Sequence, residues 1–330
     1  MATLGNTVPT LLDISKQFGE NGQPLPIAEL LHKVNPAFDD IPFEEANGTT
    51  GHKISARSGL PAVAWRKLNG GVPATKSNFA DVTESMGLLS ALGKVDKKLV
   101  DLSNNPARFR LNQNVGHIEA MAQEFNSALF YGDTDIDPEK FLGLSPRFDD
   151  LSGPNNASQI IDAAGNDTDL FSIWLVGWGD GGAKGIYPKG TQAGIVHKDM
   201  GEELVSDGAG GEFPAYRDWF ELNAGIAVED WRNVVRIANI DKSALTVTGS
   251  SGVNLVDIMV SAIEQTEQRE GLNYVFYMPR LARTRLRQQI ANKSNVWLSM
   301  GEVAGKSVVM FDGIPVRRQD ALLLNESRIV

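Results

Sequence analysis

The chain of 330 residues contains no cysteine, which excludes disulfide scaffolds, thiolate zinc sites and cysteine nucleophiles. Histidine is scarce: the four histidines lie far apart, and none has a second histidine at the spacing of a metalloprotease motif. No window approaches the roughly 18 apolar residues of a membrane span. The first residues also lack the basic start and apolar run of a signal peptide. We therefore expect a cytosolic product with no membrane association.

Positive charge is in deficit. The 31 lysine and arginine residues face 41 aspartate and glutamate residues, which gives a net charge of −10. A dedicated nucleic-acid binder normally carries a basic surface, so this class is disfavoured. The stretch from Arg280 to Arg318 is the exception, with eight basic residues against Glu302 and Asp312. This stretch predicts a solvated helix face or a subunit contact, with direct contact to phosphate as the alternative.

A glycine-rich stretch carries the strongest resemblance to a catalytic motif. Gly177, Gly179 and Gly182 match G-x-G-x-x-G directly after the buried-strand pattern FSIWLV. A dinucleotide site needs a helix next, because the helix N-terminus binds the pyrophosphate. The following residues, Lys184 to Pro188, favour a strand stopped by proline, so a hairpin with a glycine-rich turn explains the pattern better. A nucleotide-binding enzyme that uses the Gly177–Gly182 loop is kept as a distant alternative.

A run of aspartates raises the question of a metal site. Asp133, Asp135 and Asp137 imitate the start of an EF-hand loop, whose sixth and twelfth positions must be glycine and glutamate. Here those positions hold Pro138 and Leu144. We therefore reject an EF-hand and expect an acidic surface turn, with a loose divalent-ion site as the alternative.

The longest helical signal predicts a helix over 106–131. Asn105 is a good N-cap, Pro106 suits the first helical position, and Gly132 stands where a left-handed C-cap residue is expected. One apolar stripe should pack in the core, and a second, largely uncharged stripe should face a neighbour or the interior of an assembly. The apolar stripe comprises Leu111, Val115, Ile118, Ala122, Phe125 and Leu129, and the second comprises Asn112, Gly116, Glu119, Gln123 and Asn126.

Broken and extended patterns precede this helix. Residues 1–47 predict an arm with one short helix over LPIAELLHKV. Residues 48–90 predict a long hairpin with a turn at Asn69–Gly71. A long hairpin with so few large apolar residues of its own usually covers a neighbour, so this segment indicates oligomerisation.

After the helix the pattern changes from strands to alternating strands and helices. The polar stretch 194–214 predicts a loop, and 218–240 predicts a long β segment bent near Gly225. From about residue 241 the pattern predicts an α/β layer, which comprises a helix over 254–268, a strand over 273–279, a basic helix over 280–292 and a hairpin over 307–318 on the Asp312–Gly313 turn.

The order of these elements and several short phrases resemble one known family. The phrases are LVDLSNN before the long helix, FYGD and FLGL after it, KGIYPKGTQAGIVHKDMG, EDWRNVVRIANID and VVMFDGIPVRR. They resemble the major capsid proteins of tailed double-stranded DNA bacteriophages, which have the Hong Kong 97-type fold. KGIYPKGTQAGIVHKDMG and EDWRNVVRIANID look closest to a short-tailed phage subgroup. The fold class that this resemblance implies is α+β.

The resemblance implies a subunit with distinct regions. These would be an N-terminal arm over 1–47, an extended loop over 48–94, a peripheral domain over 95–240 with the long helix as its spine, an axial domain over 241–320, and a C-terminal strand over 321–330 that returns to the peripheral domain. Such subunits would form pentamers and hexamers of an icosahedral virion shell, assembled in the host bacterial cytoplasm around double-stranded DNA.

The resemblance also implies partners. Because only a short arm precedes the loop, a separate scaffolding protein is expected, with a portal and a decoration protein as further candidates. Packaged DNA would be contacted non-specifically. Some relatives crosslink a loop lysine to a neighbouring subunit, but no motif here identifies the partner, so crosslinking is not carried over. An encapsulin-type compartment shell is the alternative within the same fold.

No residue is assigned a catalytic, cofactor-binding or metal-binding role, so we do not expect an enzyme. The functional residues are expected at subunit interfaces, in the extended loop, on the second stripe of the long helix and on the basic helix. The candidates are Trp65, Lys67, Asn69, Gly70, Gly71, Lys76, Gln123, Arg283 and Arg287.

Overall fold

The computed structural model describes residues 33–49, 51–103, 105–153, 155–207, 210–247, 252–267, 270–292, 298–303 and 306–330. The short helix predicted over LPIAELLHKV lies outside these residues, apart from Lys33 and Val34, which are not helical. Within the described ranges, no helix is both long enough and apolar enough to cross a membrane.

Runs of consecutive strands are separated by helices along the described chain. The helices are α1 (Ala37–Asp40), α2 (Lys97–Asp101), α3 (Pro106–Tyr131), α4 (Leu255–Gln265) and α5 (Arg280–Asn292). The strands are β1 (Phe43–Glu45), β2 (Gly51–Gly59), β3 (Asn78–Ser85), β4 (Gly87–Asp96), β5 (Ile160–Asp162), β6 (Leu170–Trp178), β7 (Ala183–Tyr187), β8 (Val196–Ser206), β9 (Glu212–Val228), β10 (Val234–Asp241), β11 (Asn273–Met278), β12 (Leu298–Val303), β13 (Lys306–Phe311) and β14 (Ile314–Arg318). Short 3-10 turns cover Ser145–Arg147, Asn155–Gln159 and Trp231–Asn233.

Strand β6 lies at the centre of the fold. Its sequence LFSIWLVGW is nearly all apolar and every residue is buried, as expected for a strand that is covered on both faces. Trp174 and Val176 belong to the hydrophobic core beneath α3, whereas Ile173 and Leu175 belong to the core beneath α4 and α5. Because successive side chains of a strand point to opposite faces, β6 separates two cores.

Twelve strands of the described residues are connected in one sheet. The main path runs β12-β13-β14-β11-β6-β7-β9-β4, and β1, β5, β8 and β10 pair beside it. Strand β11 is antiparallel to β6 and parallel to β14, so the sheet is mixed. Helices that pack on the two faces of a mixed sheet confirm the α+β class.

The long helix has the predicted bounds, but its end differs from the prediction. The Asn105 side chain accepts a hydrogen bond from the Arg108 N–H at 3.1 Å. Gly132 is not left-handed: its φ is −59°. Glycine is required there for space, because an added Cβ would lie 2.4 Å from the Phe141 carbonyl oxygen and 2.6 Å from that of Ala128.

The apolar stripe predicted for α3 is right only in the second half of the helix. Phe125 and Leu129 are buried against the sheet, but Leu111, Val115 and Ile118 are exposed. The first half also touches the sheet, because the His117 ring stacks on that of Phe220. Its three apolar stripe residues nevertheless stay exposed, so apolar spacing in this half does not translate into burial within the subunit.

Two further positions of α3 correct the two-stripe prediction. Phe109, outside the predicted stripe, is fully buried in a small core with Val95 and Val100. Asn126, predicted to face a neighbour, is 1% exposed, because its side-chain oxygen accepts a hydrogen bond from the Gln319 amide at 2.9 Å. A buried polar side chain that finds its partner far along the chain cannot be distinguished from a surface residue by spacing alone.

The long hairpin is present, but the predicted turn does not join its paired strands directly. Strands β2 and β3 pair antiparallel over their length. The Asn69 turn exists, with φ 62°, but it lies in the irregular segment 60–77 rather than between paired strands. Pro61 and Pro73 lack the N–H that a ladder needs, which explains the interruption. Strand β4, placed by the prediction in a loop that extended to residue 94, pairs instead with β9 in the main sheet.

The loop predicted over 194–214 is wrong, because most of it forms β8, which pairs antiparallel with β9. Nearly all of β8 is exposed, so its sequence has no apolar alternation that would indicate a strand. The predicted bend near Gly225 corresponds to a change of partner: β9 pairs with β4 up to Ala224 and with β7 from Gly225 onward. An added Cβ at Gly225 would lie 2.6 Å from the Ser85 carbonyl oxygen.

The C-terminal segment 321–330 is not a strand, contrary to prediction. Its backbone makes one isolated bridge, between Leu170 and Glu326. Side chains hold it instead: the Asn239 amide oxygen accepts the Ile329 N–H at 2.9 Å. Earlier in this region the helices α4 and α5, strand β11 and the turn at Asp312–Gly313 follow the prediction, whereas β12 was not predicted.

Candidate assembly surfaces

Residues 60–77, here called the hairpin tip, carry large apolar side chains without cover. Trp65 is fully exposed, and Val63 and Leu68 are each 93% exposed. No residue of the hairpin tip belongs to the hydrophobic cores of the described chain. Large exposed apolar side chains mark interaction sites in folded proteins, so the hairpin tip is a candidate contact surface.

The base of the hairpin is fixed by a buried ion pair. Arg147 donates to both carboxylate oxygens of Glu84, at 2.7 and 2.6 Å, and the Glu84 side chain is 4% exposed. The same guanidinium donates to the carbonyl oxygens of Leu142 and Gly143. A bidentate pair of this kind fixes orientation as well as position, so the hairpin leaves the sheet in a defined direction.

The predicted interface residues fall on three separate surfaces. Six of them lie together in the hairpin tip, where the Gly70 N–H donates to the Lys67 carbonyl oxygen at 3.1 Å and closes the turn. Gln123 lies half-buried on α3, where its amide donates to the Glu119 carboxylate at 2.8 Å. Arg283 and Arg287 lie on α5. The six residues of the hairpin tip are Trp65, Lys67, Asn69, Gly70, Gly71 and Lys76.

The first half of α3 is a second apolar surface. Leu111 is 61% exposed, and Val115 and Ile118 are also exposed. Next to this surface, the Lys33 N–H donates to the Glu119 carboxylate at 3.3 Å. Lys33 therefore lies close to the exposed half of α3.

Four arginines come together where β11 and β14 end and α5 begins. We call them the arginine cluster: Arg283, Arg287, Arg317 and Arg318. Asp40 binds Arg317 at 2.9 Å and Asp320 binds Arg318 at 2.6 Å. Burial, followed by the positive charges of the other three arginines, lowers the pKa of the Arg283 guanidinium. Like charges held this close favour an anionic partner.

The glycine-rich stretch does not have the geometry of a dinucleotide site. Strand β7 begins directly after Gly182, where the site would need a helix. The Gly181 N–H already donates to the Glu229 carboxylate at 2.7 Å, and Glu229 also binds Lys184 at 2.8 Å. Burial lowers the pKa of Lys184, but hydrogen bonds to Glu229 and Glu44 outweigh it and raise the value. The stretch is a turn held by protein carboxylates; it joins two strands that share a single parallel pair rather than an antiparallel hairpin.

Sequence reasoning missed the residues that anchor these surfaces. Glu84 and Arg147 lie 63 positions apart. In a second anchor, Asp218 accepts hydrogen bonds from Arg110 at 3.0 Å and contacts His197 Nε2 at 2.8 Å, which joins α3 to β8 and β9. Correlated substitution between the two partners, seen across many related sequences, is the signal that would find such pairs. One sequence contains many carboxylates, and nothing in it marks which of them pairs with a given arginine.

The acidic turn after α3 has a structural explanation. The Asp133 side chain accepts the Asp135 N–H at 2.9 Å, and its carbonyl oxygen accepts the Asp137 N–H at 2.9 Å. Lys140 lies 3.5 Å from the Asp137 carboxylate. The first of these contacts is an Asx turn, and together with the backbone turn and the ion pair it closes an ordinary surface loop.

Comparison with known proteins gives one family. The chain matches the family model of the major capsid protein GP7 over residues 19–330. No curated protein sequence matches it. A chain in the structure of bacteriophage epsilon15 is 37% identical, with a TM-score of 0.79, and the match covers 100% of this chain and 99% of that chain.

Two further structures match at much lower identity, and of these the JBD30 capsid shows the shared fold. The bacteriophage JBD30 capsid is 10% identical, with a TM-score of 0.54 over 95% of this chain and 99% of that chain. The SrpI encapsulin of Synechococcus elongatus PCC 7942 is 10% identical, with a TM-score of 0.47 over 68% of this chain and 94% of that chain. The family model spans most of the chain, so the protein belongs to the GP7 family of major capsid proteins, the structural shell subunits of tailed phages with the Hong Kong 97-type fold.

Proposed function

We propose that this capsid protein forms pentamers and hexamers of the icosahedral head, with the hairpin tip lying on a neighbouring subunit. The observation that carries the proposal is the exposed apolar set in the hairpin tip, above all Trp65. Burying a tryptophan removes about 200 Å² from water, which is worth about 5 kcal/mol at ~25 cal/mol per Å². A neighbour that covers the tip would recover this free energy many times over in a symmetric shell.

The proposal assigns regions of the chain to parts of the capsomer. The core beneath α3 would form the peripheral domain, and the core beneath α4 and α5 would form the axial domain at the capsomer centre. Gln123 would contact a neighbour or the shell interior. We also propose a separate scaffolding protein, a portal, a decoration protein, assembly in the host cytoplasm and non-specific contact with packaged DNA. The net charge of −10 supports weak contact, because a basic inner wall would bind the genome tightly.

A matched pair of leucine substitutions tests the proposal. Leu68→Ser removes an exposed leucine from the hairpin tip, and Leu204→Ser removes an exposed leucine from β8. Each protein is co-expressed with the scaffolding protein of its phage, and particles are counted by electron microscopy and sedimentation. We expect Leu68→Ser to reduce particle yield at least tenfold with an unchanged melting temperature, and Leu204→Ser to assemble as wild type.

Equal particle yields from the two variants would contradict the placement of the hairpin tip at an interface. The encapsulin alternative has a different outcome in the same experiment. Closed particles that form without a scaffolding protein and enclose a co-expressed enzyme would favour it over a phage head.

A further inference from the structure

The α/β layer of the described chain has opposite charges at its two ends. The arginine cluster lies where the parallel strands β11 and β14 end. At the other end of these strands lies a groove of about 430 Å³, lined in part by Glu264, Glu270, Asp312 and Tyr274. Strand β11 has six residues, so the two ends lie roughly 17 Å apart. We call the second site the acidic groove.

Among the described residues, the arginine cluster has fewer carboxylate partners than arginines. Arg317 and Arg318 each bind an aspartate, but among the described residues no carboxylate binds Arg283 or Arg287. The Arg283 Nε atom is buried without a hydrogen-bond partner. A guanidinium placed against three others gains most from an anion that the subunit does not itself supply.

The acidic groove likewise has carboxylates that no basic side chain of the described residues binds. Glu264, Glu270 and Asp312 are exposed, and no basic side chain of the described residues binds any of them. They differ in this from Glu267, which lies nearby and contacts Arg232 at 3.3 Å. The groove is concave and has room for a long, positively charged side chain of a partner.

We propose that the arginine cluster of one subunit binds the acidic groove of the next subunit around each capsomer ring. The inference rests on the proposed ring assembly. A closed ring joins unlike surfaces of identical subunits, so a basic surface and an acidic surface on one chain form a repeating pair. Complementary charges of this kind select the correct partner and fix its register more than they add affinity.

A charge exchange tests the contact directly. Arg283→Glu with Arg287→Glu makes the basic end acidic, and Glu264→Lys with Glu270→Lys makes the acidic end basic. Each double variant should reduce ring and particle yield at least about tenfold, because like charges then face each other. The chain that carries all four substitutions restores opposite charges and should assemble again.

Mixing gives a second readout that depends on ring size. The two double variants, each defective alone, should alternate in six-membered rings, because every contact then pairs opposite charges. They should not close five-membered rings, because an odd ring leaves one pair of like charges. Electron microscopy would therefore show hexamers without closed shells.

The control is Arg285→Glu, a charge reversal on the same helix whose side chain binds Gln288 at 3.0 Å. Residues two apart on a helix do not face the same side, so this variant should assemble as wild type. Circular dichroism and thermal melting check folding, and the exposed Arg287→Glu alone carries the test if the double variant does not fold.

Two results would overturn the inference. One is a four-substitution chain that is as defective as either double variant. The other is an Arg283→Glu/Arg287→Glu chain that assembles normally and holds less DNA, which would assign the arginines to a polyanion instead. If wild type and Arg285→Glu also fail to assemble with scaffolding protein present, the proposed ring assembly itself is wrong.

Discussion

Single buried charges determine where distant segments attach to the sheet. Glu326 is the clearest case: its carboxylate accepts hydrogen bonds from the Tyr131 hydroxyl at 2.6 Å and the Arg236 guanidinium at 2.8 Å. Burial, together with the charge of Glu326, raises the pKa of the Tyr131 hydroxyl, which therefore stays a donor. Glu84 plays the same part for the hairpin through Arg147.

Removing one partner of such a pair leaves a buried charge without compensation. Arg147→Met should therefore lower the free energy of unfolding by about 3 kcal/mol. The control Lys53→Met removes the exposed Lys53–Asp81 pair, whose side chains are 62% and 50% exposed, and should lower the free energy of unfolding far less, because water screens the pair. Urea denaturation of both variants measures the difference, and equal losses would show that the Glu84 pair does not anchor the fold.

Glu229 gives a prediction about pH. Burial raises the pKa of its carboxyl, but hydrogen bonds from Lys184 and Gly181 outweigh this, so the pKa lies below the ordinary 4.5. Between the folded-state and unfolded-state pKa values of Glu229, the unfolded chain binds more protons than the folded chain. The contribution of Glu229 to stability is therefore complete above pH 4.5 and is lost as the pH falls through the folded-state pKa. The free energy of unfolding of the wild-type protein should therefore decrease as the pH is lowered below 4.5.

Glu229→Gln should have a shallower dependence of unfolding free energy on pH below 4.5 than wild type, because it lacks this group. Lys184→Met, which removes the cation that lowers the pKa, should lose the same component. The measurement is chemical denaturation at a series of pH values. A slope in both variants identical to that of wild type would contradict the assignment.

At the scale of elements, α3 has two environments along one helix. Its second half is packed against the sheet, and its end is crowded by backbone at Gly132. Gly132→Ala should lower the free energy of unfolding by about 2–3 kcal/mol, because backbone atoms cannot move aside. The matched Gly116→Ala has open space within 4 Å and should raise stability by about 1 kcal/mol. Thermal melting compares the two, and stabilisation by both would refute the crowding at Gly132.

The two sides of α3 also differ in what a new charge does. Phe125 is buried among other aromatic rings, so Phe125→Asp should abolish folding. Gln123 is half-buried rather than part of the core, so Gln123→Lys should leave the soluble subunit intact and reduce particle assembly. Solubility and particle yield are measured for both, and equal effects on solubility would remove the distinction.

Elements with strong local signals could be predicted from the sequence. Three such signals depend only on neighbouring residues, and all three are present in the fold. They are the Asn105 cap, the apolar run that forms β6 and the Asp312–Gly313 turn. Strand β8 could not be predicted, because its pairing with β9 is supplied by another segment and leaves no apolar alternation. The exposure of Leu111 and the burial of Asn126 likewise depend on what lies opposite the helix.

The candidate surfaces were predictable only in part. The hairpin tip was indicated by its apolar residues without a core, and the basic run of α5 by its composition. Their anchors and the acidic groove depend on segments that meet only in the folded chain, such as Glu264 with Asp312. One sequence cannot show which of its 41 acidic residues meet.

At the scale of the whole molecule, the isolated subunit leaves several apolar and charged surfaces without a partner among the described residues. Its two main cores are buried, yet the hairpin tip, the apolar stripe in the first half of α3 and the charged ends of the α/β layer lie at the surface. A protein that works through many moderate contacts repeated by symmetry needs surfaces of this kind. We therefore expect the isolated subunit to fold stably, and its exposed apolar and charged surfaces to be covered only in the shell.

Electron microscopy of the purified protein, assembled with its scaffolding protein, tests the central claim most directly. We expect closed icosahedral shells in which the density of residues 60–77 of each subunit lies on its neighbour. A protein that remains a monomer at high concentration, or shells in which residues 60–77 touch no other subunit, would contradict it.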